Sequence, residues 1–144
     1  MIVRQILGQK TVAAVETIAP DRKVRDAARQ LADRGIGALI VSADGQQVAG
    51  IISERDIVRE IGRRGPECLD EPVEALMTRK VSSCTMGDTA EEILTRMTEG
   101  RFRHMPVLED GRLVGVISIG DVVKARLAEI EGEKHALEDM IRGF

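Results

Sequence analysis

Apolar positions along the chain follow two periods, and the order of those periods occurs twice. Val24, Ala27, Ala28 and Leu31 are spaced i, i+3, i+4, i+7, which marks one face of a helix, and Ala90, Ile93, Leu94 and Met97 repeat that spacing. A short apolar run follows each helix, Ala38-Leu39-Ile40-Val41 and Met105-Pro106-Val107-Leu108, and reads as a strand. Turn residues come next, Ala43-Asp44-Gly45-Gln46 and Asp110-Gly111, and a partner strand returns over Val48 to Ile52 and Leu113 to Ile117. Each return ends in Ser-x-x-Asp, at Ser53/Asp56 and Ser118/Asp121, and then another helical pattern begins. Brief strands at Val15-Glu16-Thr17-Ile18 and Val81-Ser82-Ser83-Cys84 open the two units.

The opening valines are 66 residues apart (81 minus 15) and the aspartates 65 (121 minus 56). One residue is therefore extra in the first hairpin, near Gln46-Gln47, where a structural repeat tolerates a length change. A period this long implies duplicated units packed on one another. Gly35 and Gly100 are placed to end the two long helices as left-handed caps. The last helix of the first unit frays at Gly62, and Pro106 inside its strand predicts an edge position. Short lead-in helices, Val3 to Leu7 and Val73 to Met77, precede the units, one for each.

The chain thus divides into a lead-in (1–14), a first repeat (15–62), a linker with its lead-in helix (63–80), a second repeat (81–128) and a helical tail (129–144). Gly65, Pro66, Pro72 and the charges around them mark the linker as exposed. In the tail, Leu127, Ile130, Leu137 and Ile141 approximate a 3–4 seam that Lys134 interrupts and Gly132 weakens. A helix packed on its own domain, a frayed end and a dimer contact all fit that pattern.

Each half, at about 60 residues, buries too little surface to be secure alone, so the halves should share an interface. The 144 residues are 43% hydrophobic but 1% aromatic, leaving only Phe102 and Phe144 for base stacking. With a net charge of −3 and a pI near 5.5, the chain as a whole does not attract nucleic acid or an anionic membrane. Cys68 and Cys84 have neither metal-ligand nor disulfide spacing, there is no run of about 18 apolar residues, and the N-terminus lacks a signal-peptide pattern. A cytoplasmic protein is expected.

Ser-x-x-Asp has two physical readings. As a capping box, the serine oxygen accepts a free helix N–H and the acid favours the positive helix end. As a binding element, the same free N–H groups attract phosphate, and a carboxylate beside them can accept both hydroxyls of a ribose. Recurrence within a complete duplicated pattern favours the second reading.

The β-α-β-β-α order taken twice, with Gly-h-h-Ser-x-x-Asp closing each sheet, resembles a pair of CBS domains, a Bateman module. Ile52-Ser53-Glu54-Arg55-Asp56-Ile57-Val58-Arg59 and Arg101-Phe102-Arg103-His104-Met105-Pro106-Val107 are similar to stand-alone bacterial members. The resemblance implies an α/β (α+β) fold with a pseudo-twofold axis and two inter-repeat clefts for AMP, ADP, ATP, NAD(H) or S-adenosylmethionine. Asp56 and Asp121 would take the ribose hydroxyls, and Ser53 and Ser118 would serve the phosphate. Ile51, Arg55, Ser83, Arg103, His104 and Met105 would complete the Asp56 site. Thr17, Ala38, Val116 and Gly120 would complete the Asp121 site.

Arg103 and His104 have Gly37 and Ala38 as their first-repeat counterparts, and Arg55 has Gly120. Cations therefore gather near Asp56, which suits a di- or triphosphate held by arginine forks, whereas the Asp121 site suits an adenosine body or AMP. The resemblance further implies a non-catalytic sensor, a homodimer and a regulated protein partner. No base–nucleophile–orienter set is legible, so catalysis is not expected. A dimeric interaction scaffold with empty clefts is the alternative.

Overall fold

The computed structural model describes residues 1–10 and 15–143. Lead-in residues 11–14 and Phe144, one of the two stacking candidates, lie outside the described residues. The order of elements is α1 (Val3–Gly8), β1 (Thr17–Ile18), α2 (Val24–Arg34), β2 (Ala38–Val41), β3 (Gly50–Ser53), α3 (Glu54–Arg64), a 3-10 turn (Pro66–Asp70), α4 (Val73–Leu76), α5 (Ala90–Gly100), β4 (His104–Glu109), β5 (Arg112–Ser118) and α6 (Ile119–Arg142).

In repeat one β2 lies between β1, to which it is parallel, and β3, to which it is antiparallel. The apolar faces of α2 and α3 close over this sheet, burying Val24, Ala27, Leu31 and Ile57 with Leu39, Val41 and Ile52. In repeat two α5 and α6 cover β4 and β5 in the same way, through Ala90, Ile93, Met97 and Val122 over Met105, Val107 and Ile117.

The lead-in helices are exchanged. Each was expected to accompany the repeat it precedes, but α1 packs Val3 and Ile6 into the core of repeat two, and α4 packs Val73 and Leu76 into the core of repeat one. Matching main-chain bonds hold them. Val3 N–H donates to Asp88 O at 2.8 Å and Arg4 N–H to Met86 O at 3.0 Å; Val73 N–H donates to Arg22 O at 2.7 Å and Glu74 N–H to Pro20 O at 3.0 Å. Each buried Val, Ile or Leu contributes roughly 1.5–3 kcal/mol, so the crossing ties together two halves too small to stand apart. The first hairpin adds a further tie, with Leu113 N–H donating to Gln46 O at 2.8 Å.

Several local expectations are corrected. Residues 81–84 do not form a strand; only Cys84 bridges to Val107, in parallel. Pro106 is the reason, and it is not at an edge. β4 is flanked by β5 on one side and by the Cys84 segment on the other. At the position of Pro106 repeat one has Ile40, whose N–H donates to Glu16 O at 3.4 Å. Proline has no N–H, so the rung that prolongs β1 in repeat one is missing in repeat two.

β3 begins at Gly50 rather than Val48, and α3 runs through Gly62 to Arg64. The left-handed position after α5 belongs to Arg101, at φ 57°, and not to Gly100. Gly100 answers to packing, because a Cβ there would collide with the Phe102 ring. The linker is only partly exposed: its 3-10 turn buries Cys68.

Candidate functional site

Both Ser-x-x-Asp motifs start helices and form reciprocal caps. Ser53 Oγ accepts the Asp56 N–H at 3.3 Å, while Asp56 Oδ2 accepts the Ser53 N–H at 2.9 Å and the Ser53 hydroxyl at 3.0 Å. In the second motif, Ser118 Oγ accepts the Asp121 N–H at 3.1 Å and Asp121 Oδ2 accepts the Ser118 N–H at 2.9 Å. The two carboxylates differ in their remaining partners. Asp56 Oδ1 accepts from Arg59 on its own helix at 2.7 Å. Asp121 Oδ2 accepts from Lys10 at 2.9 Å, and the same ammonium donates to Val116 O at 2.9 Å.

Asp56 opens onto a cleft of about 430 Å³ between the repeats. Repeat one contributes Gly37, Ala38, Ile51, Ser53, Glu54, Arg55, Asp56 and Arg59 to its wall. Residues after α4 contribute Thr78, Lys80, Val81 and Ser82, and the α5–β4 turn contributes Gly100, Arg101, Phe102, Arg103 and His104. The floor is main chain: Thr78 N–H donates to Ile51 O at 2.8 Å and Ile51 N–H to Thr78 O at 3.0 Å. Arg55, Arg59, Lys80, Arg101 and Arg103 face two acids, Glu54 and Asp56, so the wall is net cationic.

Of the residues expected at the Asp56 site, Ile51, Ser53, Arg55, Asp56, Arg103 and His104 meet in this cleft. Met105 does not; it is fully buried in the core of repeat two. The wall is formed by Ser82 rather than Ser83, whose carbonyl is taken by Arg96. Ala38, expected at the Asp121 site, pairs with Ser53 and lines the Asp56 cleft. Val116 and Asp121 are brought together through Lys10, and Gly120 adjoins the cap, with its Cβ position 3.7 Å from Ser118 Oγ. Thr17 sits on β1, where its carbonyl accepts from Gln30 at 3.1 Å.

His104 serves both sides. Its ring lies against Gly37, where a Cβ would sit 3.3 Å from Cε1 and 3.6 Å from Glu54 Oε1. Burial pushes the imidazole below its ordinary value of 6.5; Glu54 and Asp121 oppose that, and Lys10 and Arg103 add to it. At Asp121 burial pushes the carboxyl up, but the Ser118 N–H and the Lys10 ammonium outweigh it and hold the group below 3.8.

The sequence reading missed Lys10 and Lys80. Val3 and Val73 start the two exchanged helices, and the lysines follow each by the same seven residues (10 minus 3, 80 minus 73). That shared offset was the available signal. Arg101 was missed because the helix end was assigned to Gly100.

Among the described residues, no group of three or more His, Cys, Asp or Glu side chains is arranged to hold a metal ion. No helix of the described residues is long and apolar enough to cross a membrane.

Comparison with known proteins places this geometry among relatives. The sequence model of the family described as CBS domain matches residues 4–63 and 73–128. A CBS-domain-containing protein of Agrobacterium tumefaciens is 43% identical, with a TM-score of 0.82 over 88% of this chain and 99% of that one. The Arabidopsis thaliana mitochondrial protein CBSX3 is 36% identical over 85% of this chain, which spans 62% of that relative's length. The CBS domain pair of protein MJ0100, in complex with 5-methylthioadenosine and S-adenosyl-L-methionine, is 21% identical. Its TM-score is 0.78, over 90% of this chain and 98% of that one.

Proposed function

The chain belongs to the CBS-domain family, carrying two CBS repeats, and from that premise we propose that it is a non-catalytic regulatory module that binds adenosine compounds bearing phosphate, such as AMP, ATP or NAD(H). The observation that carries the proposal is the Asp56 cleft itself, where the Ser53–Asp56 cap at the start of α3 faces five cationic side chains.

A helix start favours phosphate, and arginines provide paired donors for it. A carboxylate offers about four acceptor sites. Asp56 has three filled, by the Ser53 N–H, the Ser53 hydroxyl and Arg59, so a ribose diol takes the vacant site and shares that of Arg59. Ile51 and Ala38 supply the apolar wall for adenine. The two molecules held by the MJ0100 pair are both adenosine compounds, and at 21% identity that likeness supports the reading through the fold alone. The net positive wall favours phosphorylated compounds over a sulfonium here.

Cys84 is not a candidate nucleophile, since it is buried in repeat two and burial pushes its thiol up to about 12. Ligand binding across the repeats acts by its affinity difference between states, and we place the readout in the shape of a cytoplasmic homodimer and its contact with a regulated protein. Isothermal titration with AMP, ATP and NAD tests the reading. Heat is expected in the wild type and should be lost in Asp56→Ala with Asp121→Ala. Silence with all three ligands, or binding that ignores both substitutions, overturns it.

The second reading is a ligand-free dimeric scaffold, for which one observation supplies the dimer contact. α6 carries exposed Leu127, Ile130, Leu137, Met140 and Ile141, the last 86% exposed. Under that reading thermal melts ignore every adenosine compound while light scattering still shows a dimer.

A further inference from the structure

The outer edges of β3 and β5 are treated differently. At Ile51 the edge is paired by the main chain of Thr78, and that bridge has no counterpart at Val116 among the described residues. The lead-in helices explain the difference. α4 stops at Leu76, so Thr78 lies extended beside β3, whereas α1 continues through Gly8, the residue that corresponds to Thr78. The Val116 carbonyl is then left to a side chain, and Lys10 takes it together with Asp121 Oδ2, each at 2.9 Å. Both side chains are largely shielded, at 30% and 21% exposure, so the ion pair is better protected than a surface one.

Resting on the nucleotide reading above, in which Asp121 takes a ribose as Asp56 does, we propose that Lys10 is a tethered competitor for the Asp121 site and sets its specificity. Its ammonium holds one oxygen of the Asp121 carboxylate and the Val116 main-chain acceptor on β5 at once. An adenosine compound enters by displacing it. A displaced ammonium regains a partner when the ligand brings a phosphate, and regains none from a neutral nucleoside. The Asp121 site therefore rejects adenosine and admits AMP, while at the Asp56 cleft the corresponding lysine, Lys80, is exposed in the wall and the cation on the carboxylate is Arg59 of the same helix.

The test is calorimetric titration of adenosine and of AMP into the full chain, comparing Asp56→Ala with Asp56→Ala/Lys10→Met so that only the second cleft is read. Removing Lys10 should tighten adenosine there by about tenfold, the scale of one charge-assisted hydrogen bond. The preference of that cleft for AMP over adenosine should fall. Adenosine affinity that is unchanged or weaker without Lys10 overturns the proposal.

A measurement without ligand separates this idea from its premise. NMR titration of the Asp121 carboxyl should show its midpoint raised in Lys10→Met, and an unmoved midpoint also overturns the proposal. If no variant binds either compound, the nucleotide reading falls and this proposal falls with it. Normal binding at Asp56 with a second cleft indifferent to Lys10 sinks the competitor alone.

Discussion

Arg101 and Gly35 hold the same left-handed backbone position at the ends of equivalent helices, at φ 57° and 64°. Glycine meets no steric objection there, whereas a residue with a Cβ is disfavoured by about 1–2 kcal/mol. The side chain retained at that cost lines the Asp56 cleft. Arg101→Gly should therefore stabilise the fold by roughly 0.5–1 kcal/mol, after allowing for the greater freedom glycine gives the unfolded chain. The same change should weaken ATP binding several-fold. Thermal denaturation and calorimetry on the same pair of proteins check both halves, and a melting temperature that falls refutes the strain argument.

His104 gives a pH dependence whose sign follows from its shielding. Burial depresses the folded imidazole below 6.5, so the unfolded chain takes up a proton at a higher pH than the folded one. Stability rises with pH wherever the unfolded state binds more protons. The contribution is fully present above about pH 6.5 and is lost as the pH falls from there to the depressed folded value. Urea denaturation at intervals between about pH 5 and 7.5 should show that decline, and His104→Gln should flatten it. A slope identical in the variant assigns the effect to other groups.

Two equivalent glycines should respond unequally to alanine. A Cβ at Gly50 would lie 2.7 Å from the Thr78 carbonyl oxygen and 2.7 Å from Met77 Sδ, whereas at Gly115 the nearest atom is Leu7 Cδ1 at 2.8 Å. Main chain cannot yield as a leucine methyl can, and the Thr78 oxygen also accepts the Ile51 N–H on the cleft floor. Gly50→Ala is expected to cost about 1–3 kcal/mol, and Gly115→Ala less than half as much. Equal losses in chemical denaturation would mean that the lead-in helices move as rigid bodies.

What could be read from the chain was local. The two Ser-x-x-Asp caps, the left-handed Gly35, the 3.6-residue faces of α2 and α5 and the Asp110-Gly111 turn each depend on residues a few positions apart, and each formed where the pattern put it. Long-range choices left no such mark. A helix as short as Val73–Leu76 shows an apolar face but not which core will receive it, so the exchange of α1 and α4 was invisible. Lys10 and Lys80 escaped for the same reason, because their roles come from where the exchanged helices deliver them. Pro106 was misread because a missing N–H betrays itself on the neighbouring segment, at Ser82, the counterpart of Glu16, and not on its own strand.

The tail poses a question of association. Leu127, Ile130, Leu137 and Ile141 stand on successive turns of α6 with Lys134 at the interrupted step, and all four apolar residues are exposed. A seam of this spacing meets a second helix in knobs-into-holes fashion, and a lysine at a core position weakens the pair while limiting its register. Leu137→Glu with Ile141→Glu should shift the chain toward monomer in sedimentation velocity. It should leave the melting temperature of the monomer nearly unchanged, since exposed positions alter stability by about 0.5 kcal/mol or less. Lys134→Leu should act in the opposite sense and strengthen self-association by removing the buried charge. If both variants sediment like the wild type across concentrations, the seam faces solvent, and any dimer is built from the faces of the two repeats.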